Sequence, residues 1–191
     1  MKIIRLFMLV AVLPLLSSCG YNQMVALEEG VAGQWANVET AYQRRADLIP
    51  NLVNTVKGYA DFEKETLEAV VNARAKATAT TIDPTKLDAA SLQAFQANQG
   101  ELSSALSRLL VVAERYPDLK ANQNFLELQS QLEGTENRIS VERRRFNEMV
   151  QAYNSYIRKF PNNLIAGMFD FEAKAYFEAD AGAEKAPAVT F

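Results

Sequence analysis

Histidine is absent from this 191-residue chain, and cysteine occurs once, at Cys19. Without histidine there is no imidazole-based catalytic triad, no Glu-x-x-His pair for a di-metal bundle site and no Cys/His zinc signature. With a single cysteine no intramolecular disulfide forms. Excess basic charge is lacking too: 20 Lys and Arg stand against 23 Asp and Glu. An acidic chain lacks the basic face that nucleic-acid binding requires. The sequence carries no Gly-rich phosphate loop and no Gly-x-Ser-x-Gly nucleophile elbow. These absences leave no catalytic constellation, cofactor site or metal site to read, and the chain reads as a non-enzyme.

What is present begins at the N-terminus. Lys2 and Arg5 precede an apolar run, Leu6 to Leu16, and Ser17-Ser18 bring small residues up to Cys19. That is the order of an export signal. The run is shorter than the roughly 20 apolar residues that span a bilayer, and Pro14 lies within it. Leu16-Ser17-Ser18-Cys19 resembles the lipobox of bacterial lipoproteins. The resemblance implies a diacylglycerol on the Cys19 thiol, cleavage after residue 18, and acylation of the new amine, as by palmitate. Gly20, where an Asp would retain a Gram-negative lipoprotein at the inner membrane, implies the outer membrane in such a host. Removing the signal takes two of the 20 basic residues and none of the 23 acidic ones, moving the net charge from −3 to −5.

The remainder is helical in pattern. From Met24 to about Ala79, Val31, Val38, Arg45, Leu52 and Tyr59 recur every seven residues. Trp35, Tyr42, Ile49, Val56 and Val70 fill the complementary position, with Glu63 interrupting. Such a seam marks a long bundle helix. Pro50 removes one backbone hydrogen bond and predicts a kink near Ala46–Pro50, or a fresh helix capped by Asp47. Residues 78–88 read as a loop, and a second helix covers about Ala89 to Arg115. A third runs from about Lys120 to Lys159, with Phe125, Leu132, Ile139, Phe146, Tyr153 and Phe160 on its seam. Leu164 to Phe177 reads as a short helical turn followed by extended chain laid over the bundle. The expectation is an all-α, extended antiparallel bundle of three long helices with a short C-terminal helical and extended segment. Its organisation is a cleaved signal over 1–18, an anchor and tether over 19–23, the bundle over 24–178 and a disordered tail over 179–191.

Polar residues interrupt the seams. Arg45 occupies an apolar position of the first helix, with Asp47 nearby. On the third helix Gln129, Glu136 and Arg143 precede Val150 and Ile157 in the complementary position. A lone buried charge is costly, so Arg45 is expected to pair with Glu136. Seam polars most often set register. The sharper alternative makes Arg45, Asp47, Glu136 and Arg143 a pocket inside the bundle. The acidic trio Glu63, Glu65 and Glu68 and the run Arg143-Arg144-Arg145 read as solvated faces.

Several blocks resemble the LemA family. They are Tyr21-Asn22, the stretch Arg44-Arg45-Ala46-Asp47-Leu48-Ile49-Pro50-Asn51-Leu52-Val53, and Val56-Lys57-Gly58-Tyr59. Further on come Glu114-Arg115-Tyr116-Pro117-Asp118-Leu119-Lys120-Ala121-Asn122, Leu132-Glu133-Gly134-Thr135-Glu136-Asn137-Arg138-Ile139, Tyr153-Asn154 and Phe160-Pro161. The resemblance implies a membrane-tethered, extracytoplasmic helical bundle with no catalytic residues to carry over. Family members commonly place a membrane helix ahead of the Tyr-Asn pair. Here Cys19 stands there, implying that a lipid replaces the peptide anchor.

Three functions compete on this reading. The first is a lipid-anchored envelope scaffold or adaptor that presents its bundle to a protein partner, with the membrane contacted through Cys19. The second is an enzyme or small-ligand binder using the polar layer. The third is self-association through the aromatic C-terminal segment.

Overall fold

The computed structural model describes residues 20–58 and 63–178 in full. The side chains of residues 2–19, where the signal and Cys19 anchor are expected, seam residue Tyr59 and the expected tail 179–191 lie outside the described residues.

The described chain is all-helical apart from loops and one extended segment. Its helices are α1 (Lys2–Lys57), α2 (Lys64–Ala79), α3 (Ala89–Ala113), α4 (Pro117–Lys120), α5 (Gln123–Arg158) and α6 (Asn162–Met168). The long helix expected from Met24 to Ala79 is two helices. It ends not at Pro50 but after Lys57, and α2 folds back along α1. No fresh helix capped by Asp47 begins there: α1 runs on through Pro50, and the carbonyl that proline strands finds a donor elsewhere. Arg74 of α2 donates from Nε to the Ala46 carbonyl at 2.8 Å.

Seam residues fill two contiguous cores. Ile49, Leu52, Val53 and Val56 of α1 pack with Leu67 and Val70 of α2, Leu102, Leu106 and Leu109 of α3, and Phe125 and Leu132 of α5. Nearer the N-terminal end of α1, Val31, Trp35, Val38 and Tyr42 pack with Phe95, Ile139, Phe146, Val150 and Tyr153. Trp35 meets Phe95 and Phe146 edge-on at 5.2 and 5.6 Å between ring centroids, the geometry that aromatic quadrupoles favour. The first core is a four-helix, up-down-up-down arrangement. In the second, α2 is missing and the loop after it, with Ile82 and Leu87, closes the side.

Short polar devices fix the connections. Asp83 starts a 3₁₀ turn by accepting from the Thr85 hydroxyl at 2.7 Å and its N–H at 2.9 Å. Asp88 caps α3 by accepting from the Ser91 N–H at 2.7 Å, satisfying one of the free donors at a helix start. The Thr85 hydroxyl bond and the Ser91 N–H bond hold these two carboxyls below their usual value. Asn122 caps α5 through the Phe125 N–H.

One seam expectation fails. Phe160 does not continue the α5 stripe: the helix stops at Arg158, and Phe160 is 81% exposed. The chain then turns into α6, which meets α1 at Gly20 so closely that a Cβ there would stand 3.2 Å from Ile165 Cδ1. Gly20 to Gln23, expected as tether, belong to α1.

After α6, residues 170–178 form an extended strap along α5, entered through Asp170 at φ 56°. Asn154 holds it by donating to the Lys174 carbonyl and accepting from the Lys174 N–H, both at 2.9 Å. Asn147 does the same to Phe177, at 3.0 and 2.9 Å. Seven helical residues rise about 10.5 Å, and three extended residues cover about 10 Å. A heptad of asparagines on α5 thus matches every third residue of an antiparallel strap, and Phe177 is delivered onto Trp35 and Phe146.

Candidate functional site

Arg45 is 1% exposed, one of the largest fully buried side chains in the protein. Its neighbours on α1 fall on the apolar seam, so the helix has no choice but to carry it inward. Nη1 donates to Glu136 Oε1 of α5 at 2.6 Å and to Ser103 Oγ of α3 at 2.7 Å. Nη2 donates to the Gln99 side-chain oxygen at 2.7 Å and its carbonyl at 3.3 Å. Gln99 in turn donates to the Ala77 carbonyl of α2. One guanidinium therefore ties all four long elements at the level between the two apolar cores, and its planar fork suits that task. Nε is the one donor of Arg45 left without a partner.

The expected pairing of Arg45 with Glu136 is present, and the wider pocket is only partly assembled. Arg143 reaches the rim of the same cavity, whose volume is about 130 Å³. Its guanidinium lies 5.0 Å over the Phe177 ring, and Nη2 donates to the Glu178 carbonyl at 2.8 Å. It is thereby committed to the strap. Asp47 does not join the layer: it accepts from Gln43 at 2.7 Å and faces an open surface groove beside Arg44. Ligand sites ordinarily offer about 300–1,000 Å³.

Two buried charges escape the seam rule. Glu142, 1% exposed, accepts at Oε2 from Gln34 of α1 at 2.7 Å, and at Oε1 from Arg138 and Arg145 at 2.7 and 3.2 Å. The only signal for it is the weak repeat Leu128, Thr135, Glu142 and Met149 on the opposite flank of the α5 seam. Lys174 of the strap, 7% exposed, pairs with Glu28 at 2.8 Å and donates to the Thr85 carbonyl at 2.7 Å. Every described buried charge thus has an opposite charge within 3 Å, the condition for tolerating it. Beside Lys174 the Tyr153 hydroxyl has no hydrogen-bond partner, and burial, then Glu28 and Glu172, push its pKa up from 10.0. Among the described residues no three His, Cys, Asp or Glu side chains are grouped to hold a metal.

The fold and this layer define an extended all-α bundle with charged cross-braces at three levels. The chain belongs to the LemA family, which matches residues 34–191. Protein LemA of Metamycoplasma hominis is 26% identical over 158 residues, covering 83% of this chain and 68% of its own length. Magnetosome protein MamQ 2 of Paramagnetospirillum magneticum is 25% identical over 175 residues, and magnetosome protein MamQ of Magnetospirillum gryphiswaldense 27% over 177. Of those two proteins the chain spans 64% of the length.

Proposed function

We propose that the protein is a lipid-anchored, extracytoplasmic scaffold of the LemA type, tethered by acylated Cys19 and presenting its bundle surface to a protein partner in the cell envelope. The observation that carries this reading is the closure of the polar layer. Arg45 and Glu136 are spent on each other and Arg143 on the strap, and the cavity between them, about 130 Å³, falls below the range ordinary for ligand sites. What the molecule offers outward is long helical surface. The lipobox pattern at residues 16–19 and the family's tethered character support the anchor. Among the described residues no helix is long and apolar enough to cross a membrane, and an acyl anchor needs none.

Two experiments test the reading. Cys19→Ala in the native host is expected to abolish lipid labelling and release the chain from membranes; retention and processing like wild type overturn the anchor. A photo-crosslinker at exposed Val111 or Leu126 in intact cells is expected to give one discrete adduct that disappears with Cys19→Ala. Failure to recover any reproducible adduct over the bundle surface overturns the scaffold role.

A further inference from the structure

Large apolar side chains left exposed by this fold are not scattered. Of the nine among the described residues, Tyr21, Phe160, Leu164, Met168 and Phe169 lie at the end of the bundle where α6 meets α1 at Gly20. Leu164 and Met168 are one turn apart and share a face of α6, at 63% and 76% exposure, while Ala166 is buried. Phe160 before the helix and Phe169 after it are 81% and 55% exposed. Phe169 also touches Tyr21 edge-on at 4.9 Å. The inner side of α6 does the packing, and the outer side contributes nothing to either core.

The location says what covers this end. Gly20 lies against Ile165 and Asn162, and in the sequence it directly follows Cys19, the residue to which the proposed function assigns the lipid. The exposed pair Arg158 and Lys159 precedes the patch, placing cationic groups where anionic head groups would lie. Asp170 and Glu172 follow it, so apolar insertion, more than charge, carries the contact. Aromatic and long aliphatic residues on a short helix held parallel to a surface are the composition of an interfacial element.

We propose that this end of the bundle is a bilayer-contact surface. Phe160, Leu164, Met168 and Phe169 seat in the boundary between head groups and acyl chains of the leaflet that holds the Cys19 lipid. The chain then meets the membrane at two points, the lipid and α6, and its long axis takes a fixed orientation instead of swinging on a tether. The proposal rests on the anchor reading for the nearness of the bilayer and for which leaflet is involved.

The test uses the exported full chain carrying Met168→Cys or, at the opposite end, Val111→Cys. Cys19 is the only native cysteine, so once it is lipidated each variant has one free thiol for an NBD fluorophore. The labelled proteins are reconstituted in vesicles of phosphatidylethanolamine and phosphatidylglycerol doped with doxyl-phosphatidylcholine. Expected at position 168 are a blue-shifted emission, severalfold stronger quenching by the doxyl lipid and severalfold weaker quenching by aqueous iodide than at position 111. Equal quenching at both positions overturns the proposal. So does shielding at 168 that disappears when the protein is diluted in lipid, since a second copy would then be the cover. The mass of the N-terminal residue reads the anchor separately. If that mass shows no lipid the anchor fails, and the contact is then read on Met168→Cys in a Cys19→Ala background, where quenching by doxyl lipid on added vesicles keeps it; lipidated protein with an iodide-accessible label does the reverse.

Discussion

Arg74 supplies from α2 the hydrogen bond that Pro50 removes from α1, donating its Nε to the Ala46 carbonyl at 2.8 Å. The acceptor is the one that an N–H at position 50 would have used, four residues on. A helix that passes through proline without breaking is thus completed by its neighbour, and the same contact fixes where α2 lies along α1.

Arg74→Ala is expected to destabilise the protein by about 1–3 kcal/mol, the cost of leaving a buried carbonyl unpaired. In a Pro50→Ala background the restored N–H takes over the acceptor, so the same change costs less. Urea unfolding of the four proteins in a double-mutant cycle measures this coupling. Equal costs in both backgrounds would mean that Arg74 acts through packing alone.

Removing Glu136 leaves the Arg45 guanidinium buried without a counter-charge. Glu136→Ala is expected to cost on the order of 3 kcal/mol, toward the low end for a broken buried pair because its carboxylate is partly exposed. Replacing both residues by methionine is expected to recover most of that loss. By contrast, removing Glu101 from its exposed pair with Lys76 costs about 0–1 kcal/mol. If the double variant is no better than Glu136→Ala, charge isolation is not the cause.

Asn154→Ala deletes both hydrogen bonds to Lys174, and about 1 kcal/mol for each is expected to be lost. The loss is local. Amide exchange at Lys174 and Phe177 should accelerate while amides in the middle of α5 keep their protection. Uniform acceleration along α5 would show that the strap and bundle open as one unit.

Tyr153 sets an alkaline limit. Its pKa is raised on folding, so the folded state holds the phenol proton more tightly than the unfolded chain. The contribution is whole below the ordinary value of 10.0 and is lost as pH rises above it, because unfolding then releases a proton. Tyr153→Phe removes both this loss and a buried hydroxyl that has no partner. It is expected to match or exceed wild-type stability at pH 7 and to flatten the decline above pH 10. A thermal-unfolding series across that range checks it; an unchanged alkaline slope would place the titrating group elsewhere.

Much of the fold is legible in the heptads. Val31, Val38, Leu52, Phe125, Ile139 and Phe146 are buried where the seven-residue repeat puts them, since that period keeps a side chain on one helix face whatever the partner. The Arg45–Glu136 pair was readable too, because two opposite charges in apolar stripes must meet or be hydrated. Glu142 was not. The flank of α5 that carries it is exposed or buried according to how far α5 is rotated against α1, which neither sequence fixes alone. Phe160 shows the converse, keeping the period yet losing the partner when α5 ends.

The candidate layer divides in the same way. The polar character of positions 45, 136 and 143 is local information; their separation into a closed brace and a strap contact is not. Asn147 and Asn154 are ordinary surface residues until an extended segment runs past them at matching spacing.

The sequence by itself determined the helical character of the chain, its apolar faces and the charges that had to be paired, because each depends on side chains close together along one chain. Only the tertiary structure decided that α1 runs through Pro50 and turns back after Lys57. Only it decided that Arg45 braces four elements and that α6 packs its inner side on Gly20 and leaves its outer face exposed. Those outcomes depend on donors and surfaces contributed by residues distant in sequence, whose meeting is a property of the packed chain.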